Sequence, residues 1–549
     1  MHSGTDLPST ETPSTESLST ENAGSETVST ETETETATPA ATTPRRTLLQ
    51  RLRNPRAVWF VPVLAVIALL AWVFASPIGS APDDDFHMVS IWCANPSNGA
   101  CLPGSDSEKR IVPGAILDAP CFAFDQNKSA ACQKSNTFIA KPTVESERGN
   151  FDNEYPPVFY AVMSIFAGPD IVLSDLIMRI FTVLLFLGLT IALYVLLPVG
   201  RRSTLVLSWA ITTIPLGIFL LASDNPSSWA IIGVGSAWQA LLGYFETEGK
   251  RRIALGAIFA VSVIMAAGSR SDAAFYSVIA IGAVIWLTFT PRRRYFLLAI
   301  LPVVMAVVAV VFFATSGQTS AGIHGLGVTS GSSSAPSGAE STDPAQNLSG
   351  VALLAYNLLN VQSLWAGVFG QWGLGWLDTP LPAVVTFGAT AVFAVVAFTG
   401  LSRLTWRKLV VALGLTLLLW LVPVYVLGAS DNAVGTNVQP RYILPLIVLL
   451  GGVILLTQRG QRLPLGRVQT ILIIATLSVV NFVALHIDMQ RYISGNNHAS
   501  LDLDAHESWW WSMPISPDMV WLAGSLAYAI MLIIIVREVT RRRASALLP

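Results

Sequence analysis

Apolar runs long enough to cross a bilayer alternate with short polar connections from residue 57 to residue 540. The run Ala57 to Ala75 sets the measure, since at about 1.5 Å per helical residue it crosses a hydrocarbon core of about 30 Å. Similar runs at 171–197, 203–222, 227–245, 253–269, 273–290, 296–314, 381–400, 408–428, 441–457, 468–487 and 518–536 bring the expected spans to twelve. Arg201 and Arg202, Lys250 to Arg252, Arg292 to Arg294, Arg403 with Arg407 and Lys408, Arg459 with Arg462, and Arg541 to Arg543 fall on every second connection. Positive charge is retained on the cytoplasmic side, so this alternation predicts both termini inside. The expected class is an all-α polytopic protein of the plasma membrane.

Two further apolar stretches do not fit as spans. If Val351 to Phe369 crossed, every later basic cluster would be inverted; Asn357, Asn360 and Ser363 recur every three positions, which predicts a wet face and a helix lying in the outer interface. Tyr155 to Ala167 is too short to cross and follows Pro156 and Pro157, so an interfacial or re-entrant helix is expected. The connections 76–154, 315–380 and 488–517 then become outer loops. The second opens with a Gly/Ser-rich stretch, Gly317 to Gly338, and the third ends in Trp509, Trp510 and Trp511, expected to form an aromatic belt.

Composition agrees with this pattern. With 52% hydrophobic and 12% charged residues, the 549-residue chain lies far from soluble domains, in which about a quarter of residues are charged. The formal charge of −2 conceals an acidic Ser/Thr/Glu-rich segment, 1–44, which has no Lys or Arg and too few apolar side chains to offset its ordering entropy. It is expected to be a disordered cytoplasmic tail ahead of a membrane domain over 45–540, with a basic tail over 541–549. The long acidic preamble and the full length of the first run favour a retained anchor over a cleaved leader, and Arg45 to Arg56 before it place the N-terminus in the cytoplasm. Charge placement reports topology and gives no reason to expect nucleic acid as a partner. All four cysteines, Cys93, Cys101, Cys121 and Cys132, fall in the first outer loop, as expected of two disulfides in an oxidising compartment. Three pairings are open, and the sequential one closes the shortest loops.

The candidate chemistry gathers after the first span, in S-A-P-D-D-D-F-H, Ser80 to His87. A sugar transfer needs a carboxylate to take the acceptor's proton and a polar neighbour to position it, and Asp83 or Asp84 with His87 meets that need. The plainer reading is a solvated acidic turn after a helix. Arg270, in G-S-R-S-D, and Arg441, in V-Q-P-R-Y, break the positive-inside pattern at outer span ends. A planar guanidinium holds phosphate oxygens in pairs, so a lipid-linked phosphate is a natural ligand; ion pairing, as of Arg270 with Asp272, is the structural alternative. Arg179, four residues after Asp175, suits an intrahelical pair, and Asp224-Asn225-Pro226 reads as a helix cap.

Five motifs stand in order: Pro82, Asp83, Asp84 and His87; Tyr155, Pro156, Pro157 and Tyr160; Asn225 and Pro226; Trp372, Gly373, Gly375, Trp376, Leu377, Asp378 and Thr379; and Gln439, Arg441, Tyr442 and Pro445. Together, over about residues 57 to 540, they resemble a bacterial membrane-protein family of unknown function numbered 2142. That family in turn resembles the C-fold glycosyltransferases, multi-span enzymes that use polyprenyl-phosphate sugars and carry an acidic motif in the first outer loop. The resemblance implies transfer of a hexosyl or pentosyl group from a polyprenyl phosphate to a cell-envelope glycan or lipid, at the outer face of the bilayer. It implies Asp83 or Asp84 as base; with the outer-face arginines, the expected site sets His87 beside that base and Arg441, Arg270, Tyr155, Trp372, Trp376, Asp378 and Asn225 on the substrate side. An optional divalent cation, Mg or Mn, would sit on Asp83 and Asp84. Asp84 stands for the family's usual Glu, Asp85 for a usual Pro and Pro440 for a usual Gly, so three adjacent carboxylates compete for the base's role. Transport of a lipid-linked sugar and a non-catalytic envelope scaffold are the alternatives.

Overall fold

The computed structural model describes residues 57–95, 99–134, 141–317, 348–435, 438–457, 463–505, 509–511 and 514–544. The tail expected over 1–44, the basic flank Arg45 to Arg56, most of Gly317 to Gly338, and Arg459 with Arg462 lie outside those residues, as do the 545–549 end and the side chains of Arg541 to Arg543.

Two helices make the centre: α7 (Pro226–Glu246) and α15 (Pro440–Ile454) are buried along nearly every residue. A helix apolar on all sides belongs inside a bundle, and α15 fits that rule. By contrast α7 carries Ser227, Ser228, Ser236 and Gln239 among its buried residues, which protein neighbours tolerate better than lipid would. Around the pair lie α1 (Val61–Ala75), α4 (Ile171–Leu196), α8 (Gly249–Ala267), α9 (Ser271–Thr288), α10 (Arg293–Thr315), α13 (Ala383–Leu401), α14 (Trp406–Ala429), α16 (Arg467–Ile493) and α17 (Pro517–Ala544). Close approach depends on small residues. A Cβ on Gly233 of α7 would lie 2.6 Å from the Ser262 carbonyl of α8, and one on Gly524 of α17 would lie 2.2 Å from the Ala71 Cβ of α1. The outward face of α10 shows Leu297, Ile300, Val304, Val307 and Val311 exposed, an apolar surface suited to lipid.

Among the described residues nine helices are long and apolar enough to cross a membrane. The protein is therefore a mostly helical, multi-pass membrane protein. At 21 and 19 residues α7 and α8 are also long enough to cross, but their polar residues keep them out of the nine. The run expected at 203–222 is broken, because Pro215 supplies no N–H and separates α5 (Val199–Thr212) from α6 (Leu216–Leu221).

Val351 to Phe369 is also broken, into α11 (Gly350–Asn360) and α12 (Gln362–Val368), and as a whole it counts among the nine by length and composition. Its polar face is only partly open, with Asn360 and Ser363 half-buried and Asn357 not wet at all. Asn357 is fully buried, donates to the Asn432 carbonyl at 2.9 Å and accepts from the Val434 N–H at 2.9 Å, while Val351, Leu354 and Leu359 are among the exposed side chains. In lipid the polar stripe of a helix turns inward to protein partners, so the same periodicity reads with inverted sign. The tryptophan belt is corrected too. Trp509 and Trp511 are buried, and the Trp511 indole donates to the Phe74 carbonyl at 2.8 Å, tying the segment to the end of α1.

The loop after α1 departs from an all-helical expectation. It carries α2 (Asp84–Cys93) and a small antiparallel sheet of β1 (Leu102–Pro103), β2 (Arg110–Pro113) and β3 (Thr143–Ser146), in register Leu102 with Ile111 and Ile111 with Glu145. Disulfides Cys93–Cys101 and Cys121–Cys132 brace it, with Cα separations of 5.1 and 6.3 Å. Tyr155 to Ala167 holds the short α3 (Val158–Met163), whose Phe159, Tyr160 and Met163 are buried.

Candidate functional site

Asp83 precedes α2 in the left-handed backbone region, with φ 62°. A short polar side chain tolerates that region better than most, and the turn sets Asp83 apart from the helix it begins. Asp84 and Asp85 are already helical and so point about 100° apart. Three consecutive carboxylates therefore meet three different surroundings.

Asp85 is engaged by Arg148, whose Nε and Nη2 donate to its two oxygens at 2.7 and 3.0 Å. Asp84 is fully buried, accepts from the Ala81 N–H at 2.8 Å through Oδ2, and has no partner for Oδ1 among the described residues. Burial and the neighbouring Asp224 push its carboxyl well above the usual range, against the pull of Arg179. Arg179 is committed nearby: it pairs with Asp175 at 2.9 Å and donates to the Ser76 and Pro77 carbonyls at 2.8 and 2.9 Å.

Asp83 keeps a third of its side chain accessible. Its Oδ2 accepts from Nη2 of Arg441, and its Oδ1 lies 3.5 Å from Nη2 of Arg148. Loss of water raises its carboxyl, but neighbouring positive charge, the Arg441 guanidinium foremost, outweighs that and holds the pKa at about 2. Arg441 also donates from Nη1 to the Pro82 carbonyl at 2.9 Å, and the Asn225 amide donates to the same oxygen at 2.8 Å. Asn225 accepts in turn from the Ser227 N–H at 2.9 Å, capping α7. The two central helices thus hold the turn from the ends at which they start. Asn225 positions the motif through its backbone.

Arg270 precedes α9 and is paired with Asp272 through two bonds of 2.9 Å, the structural alternative weighed for it. It also sits over the Tyr442 ring at 4.6 Å, over which Arg441 lies at 5.1 Å, and near the Tyr155 ring at 5.7 Å. Each arginine keeps one buried donor without an acceptor among the described residues, Nη1 of Arg270 and Nε of Arg441. His87 is fully buried, its Nδ1 2.9 Å from the Tyr160 hydroxyl and its ring centroid 5.2 Å from that of Tyr155. Burial pushes its pKa well below the usual imidazole value, so the ring is neutral near pH 7.

Trp376 and Asp378 belong to a second cluster. The Trp376 indole donates to the Gly79 carbonyl at 2.9 Å, just ahead of the motif. Asp378 pairs with Arg491 at 2.8 Å, and Arg491 also donates to the carbonyls of Phe122, Asp125 and Lys128 at 3.0, 2.9 and 2.6 Å. That fork fastens the Cys121–Cys132 loop to α16. Trp372 is partly buried beside Gly367. None of the three touches Asp83 or Arg441 in the contacts described.

The residues present do not fit a divalent cation. Among the described residues no three His, Cys, Asp or Glu side chains are arranged to hold a metal, and Asp83 and Asp85 face guanidinium groups that would repel one. Two cavities of the bundle, of about 810 and 210 Å3, are lined by other residues. Arg148 is the site residue that pattern reading passed over; its signal was the one that exposed Arg270 and Arg441, a basic residue on the wrong side of the expected topology.

What the arrangement offers is an ionised carboxylate partly open to its surroundings, two guanidinium groups on one tyrosine ring, and a neutral imidazole in the same aromatic group. A family described as a predicted membrane protein, DUF2142, matches residues 66–450. Neither curated proteins nor solved structures gave a match.

Proposed function

We propose that this chain, which belongs to the DUF2142 family of predicted membrane proteins, is a glycosyltransferase that takes a sugar from a polyprenyl-phosphate donor. The acceptor is a cell-envelope glycan or lipid at the outer face, with both termini of the protein in the cytoplasm. One observation carries the reading. Arg441 and Arg270 share the Tyr442 ring, each with a buried donor that has no acceptor among the described residues, and the accessible Asp83 carboxylate rests against Arg441.

The two guanidinium groups bind the donor's phosphate, and Asp83 faces the acceptor hydroxyl. The acceptor oxygen attacks the anomeric carbon while the bond from that carbon to the phosphate oxygen breaks. The hydroxyl proton passes to Asp83 and then to water, and polyprenyl phosphate leaves. A carboxylate held at about 2 is a weak base while Arg441 neutralises it. Phosphate on Arg441 relaxes that hold and raises the carboxyl's basicity when the donor is in place. His87, neutral and bonded to Tyr160, fixes the aromatic wall and the first turn of α2. Asp85 is engaged by Arg148 and Asp84 is fully buried, so in this reading the base's role goes to the accessible Asp83.

The test is transfer of labelled sugar from polyprenyl phosphate in membranes that hold wild type, Asp83→Asn or Asp84→Asn. Wild type and Asp84→Asn should transfer label and Asp83→Asn should not. Full transfer by Asp83→Asn sinks the assignment of the base. No transfer by wild type, with label moving across liposome bilayers instead, would favour transport of the lipid-linked sugar.

A further inference from the structure

The helices that hold the Asp83 turn have a second end, and a cavity of about 810 Å3 lies there. Asn225, Arg270 and Gln439 cap the starts of α7, α9 and α15, while Glu246, Thr288 and Thr457, at or just beyond the opposite ends, line the cavity. At about 1.5 Å per residue these helices place cavity and turn roughly 25 to 30 Å apart.

Seven cationic side chains line the cavity against two carboxylates, and both carboxylates are committed. Glu246 accepts from Nε and Nη2 of Arg201, and Glu248 pairs with Arg294 at 2.8 Å and with Arg252 at 3.9 Å. Arg292, Arg403, Arg407 and Lys408 have no carboxylate partner among the described residues. Lys408 is 3% exposed and, among the described residues, donates only to the carbonyls of Gly400 and Leu456, each at 2.8 Å. A buried cation neutralised by nothing nearby is expensive, and an anion in the cavity would lower that cost. Backbone geometry adds to the field. Glu248, Arg292 and Thr405, the caps of α8, α10 and α14, all line the cavity, so three helix N-termini bring their positive ends to it.

Apolar side chains of Leu242, Leu287, Leu298 and Leu456 line the cavity as well, and Trp406 in the same lining is exposed. Phe296 and Leu297, beside the lining residues Tyr295 and Leu298 on α10, are exposed too. A small soluble anion has no use for apolar lining; a phospholipid has a charged head and a hydrocarbon body that match a lining of both kinds.

We propose that this cavity binds the phosphate headgroup of an anionic membrane lipid, with Arg292, Arg403 and Arg407 on the phosphate oxygens and Lys408 beneath them. The site is separate from the transfer reaction proposed above and stands or falls without it.

The experiment uses the full chain, purified in neutral detergent and equilibrated with equal amounts of phosphatidylglycerol and phosphatidylcholine, with retained lipid read by native mass spectrometry. Wild type should retain phosphatidylglycerol preferentially. Arg292→Gln with Arg403→Gln, both exposed and without side-chain partners in the contacts described, should lower that preference about tenfold. Lys109→Gln, on the sheet loop, should leave it unchanged. Equal retention of the two lipids by wild type, or an unchanged preference in the double variant, overturns the proposal. A parallel arm heats lipid-free protein with inorganic phosphate. Protection there that matches the lipid's and disappears in the double variant would keep the phosphate chemistry but overturn the membrane source.

Discussion

One peptide bond separates two regions of opposite character. On one side Asp83 faces Arg441 and Arg148, with a third of its side chain accessible and its carboxyl held at about 2. On the other Asp84 lies fully buried among Asp224, Asp175 and Arg179, with its carboxyl raised. The residue type is the same, so the difference comes from the partners that distant helices deliver: α15 brings a guanidinium to the first, while α4 and the turn before α7 bring further carboxylates to the second. An acid's role in such a protein follows from which helix end it meets.

Replacing each carboxylate tests that contrast, with Asp83→Asn expected to have the largest effect. Loss of a general base lowers turnover by about 100-fold or more, read as labelled-sugar transfer at saturating donor. Equal losses from Asp83→Asn and Asp84→Asn would erase the distinction between the two regions. Next comes Arg441→Lys, which keeps the charge but loses the planar fork. It should raise the donor KM about tenfold with a smaller change in kcat; an effect on kcat alone would mean that Arg441 acts on Asp83 and not on phosphate.

Asp85→Asn follows, with an expected loss of activity of about threefold, because its bidentate partner Arg148 is then free to turn wholly to Asp83. A loss as large as that of Asp83→Asn would return the base's role to Asp85. Smallest at neutral pH is Asp84→Asn, whose activity should stay within about twofold of wild type. Its signature is in stability. A carboxyl raised from 3.8 in the fold contributes most below that value and loses its contribution as pH rises through the folded value. The amide cannot ionise, so thermal unfolding of Asp84→Asn should gain on wild type as pH rises from about 4 towards neutral. Asp83 behaves oppositely: its contribution is present above 3.8 and lost only as pH falls towards about 2.

Much of this was legible in the chain. Arg441 and Arg270 stood out because they broke the charge alternation of the connections, and each proved to be buried against the acidic turn or its aromatic neighbours. The short spacing of the cysteines favoured the pairing that is observed. What was not legible depended on direction. Asn357, Trp509 and Trp511 were read by rules that place polar faces in water and indoles at the bilayer surface, whereas here they turn into protein. Which of three aspartates stays accessible was hidden as well, since Arg148 is 63 residues from Asp85 and Arg441 is 358 from Asp83. Five motifs in order still marked the family, although Asp378 and Trp376 serve a neighbouring loop more than the acid itself.

The Pro82 carbonyl, with its two donors, has a consequence for anyone who would move this chemistry elsewhere. Asn225 is 143 positions from that oxygen and Arg441 is 359. The turn's shape is thus stored outside the eight letters that spell it. A peptide of Ser80 to His87, or the same letters grafted onto another scaffold, would carry the carboxylates without their bearings. What can be transplanted is the crossing of two helix starts over a carbonyl, and a search for distant kin should look for that junction before it looks for the acids.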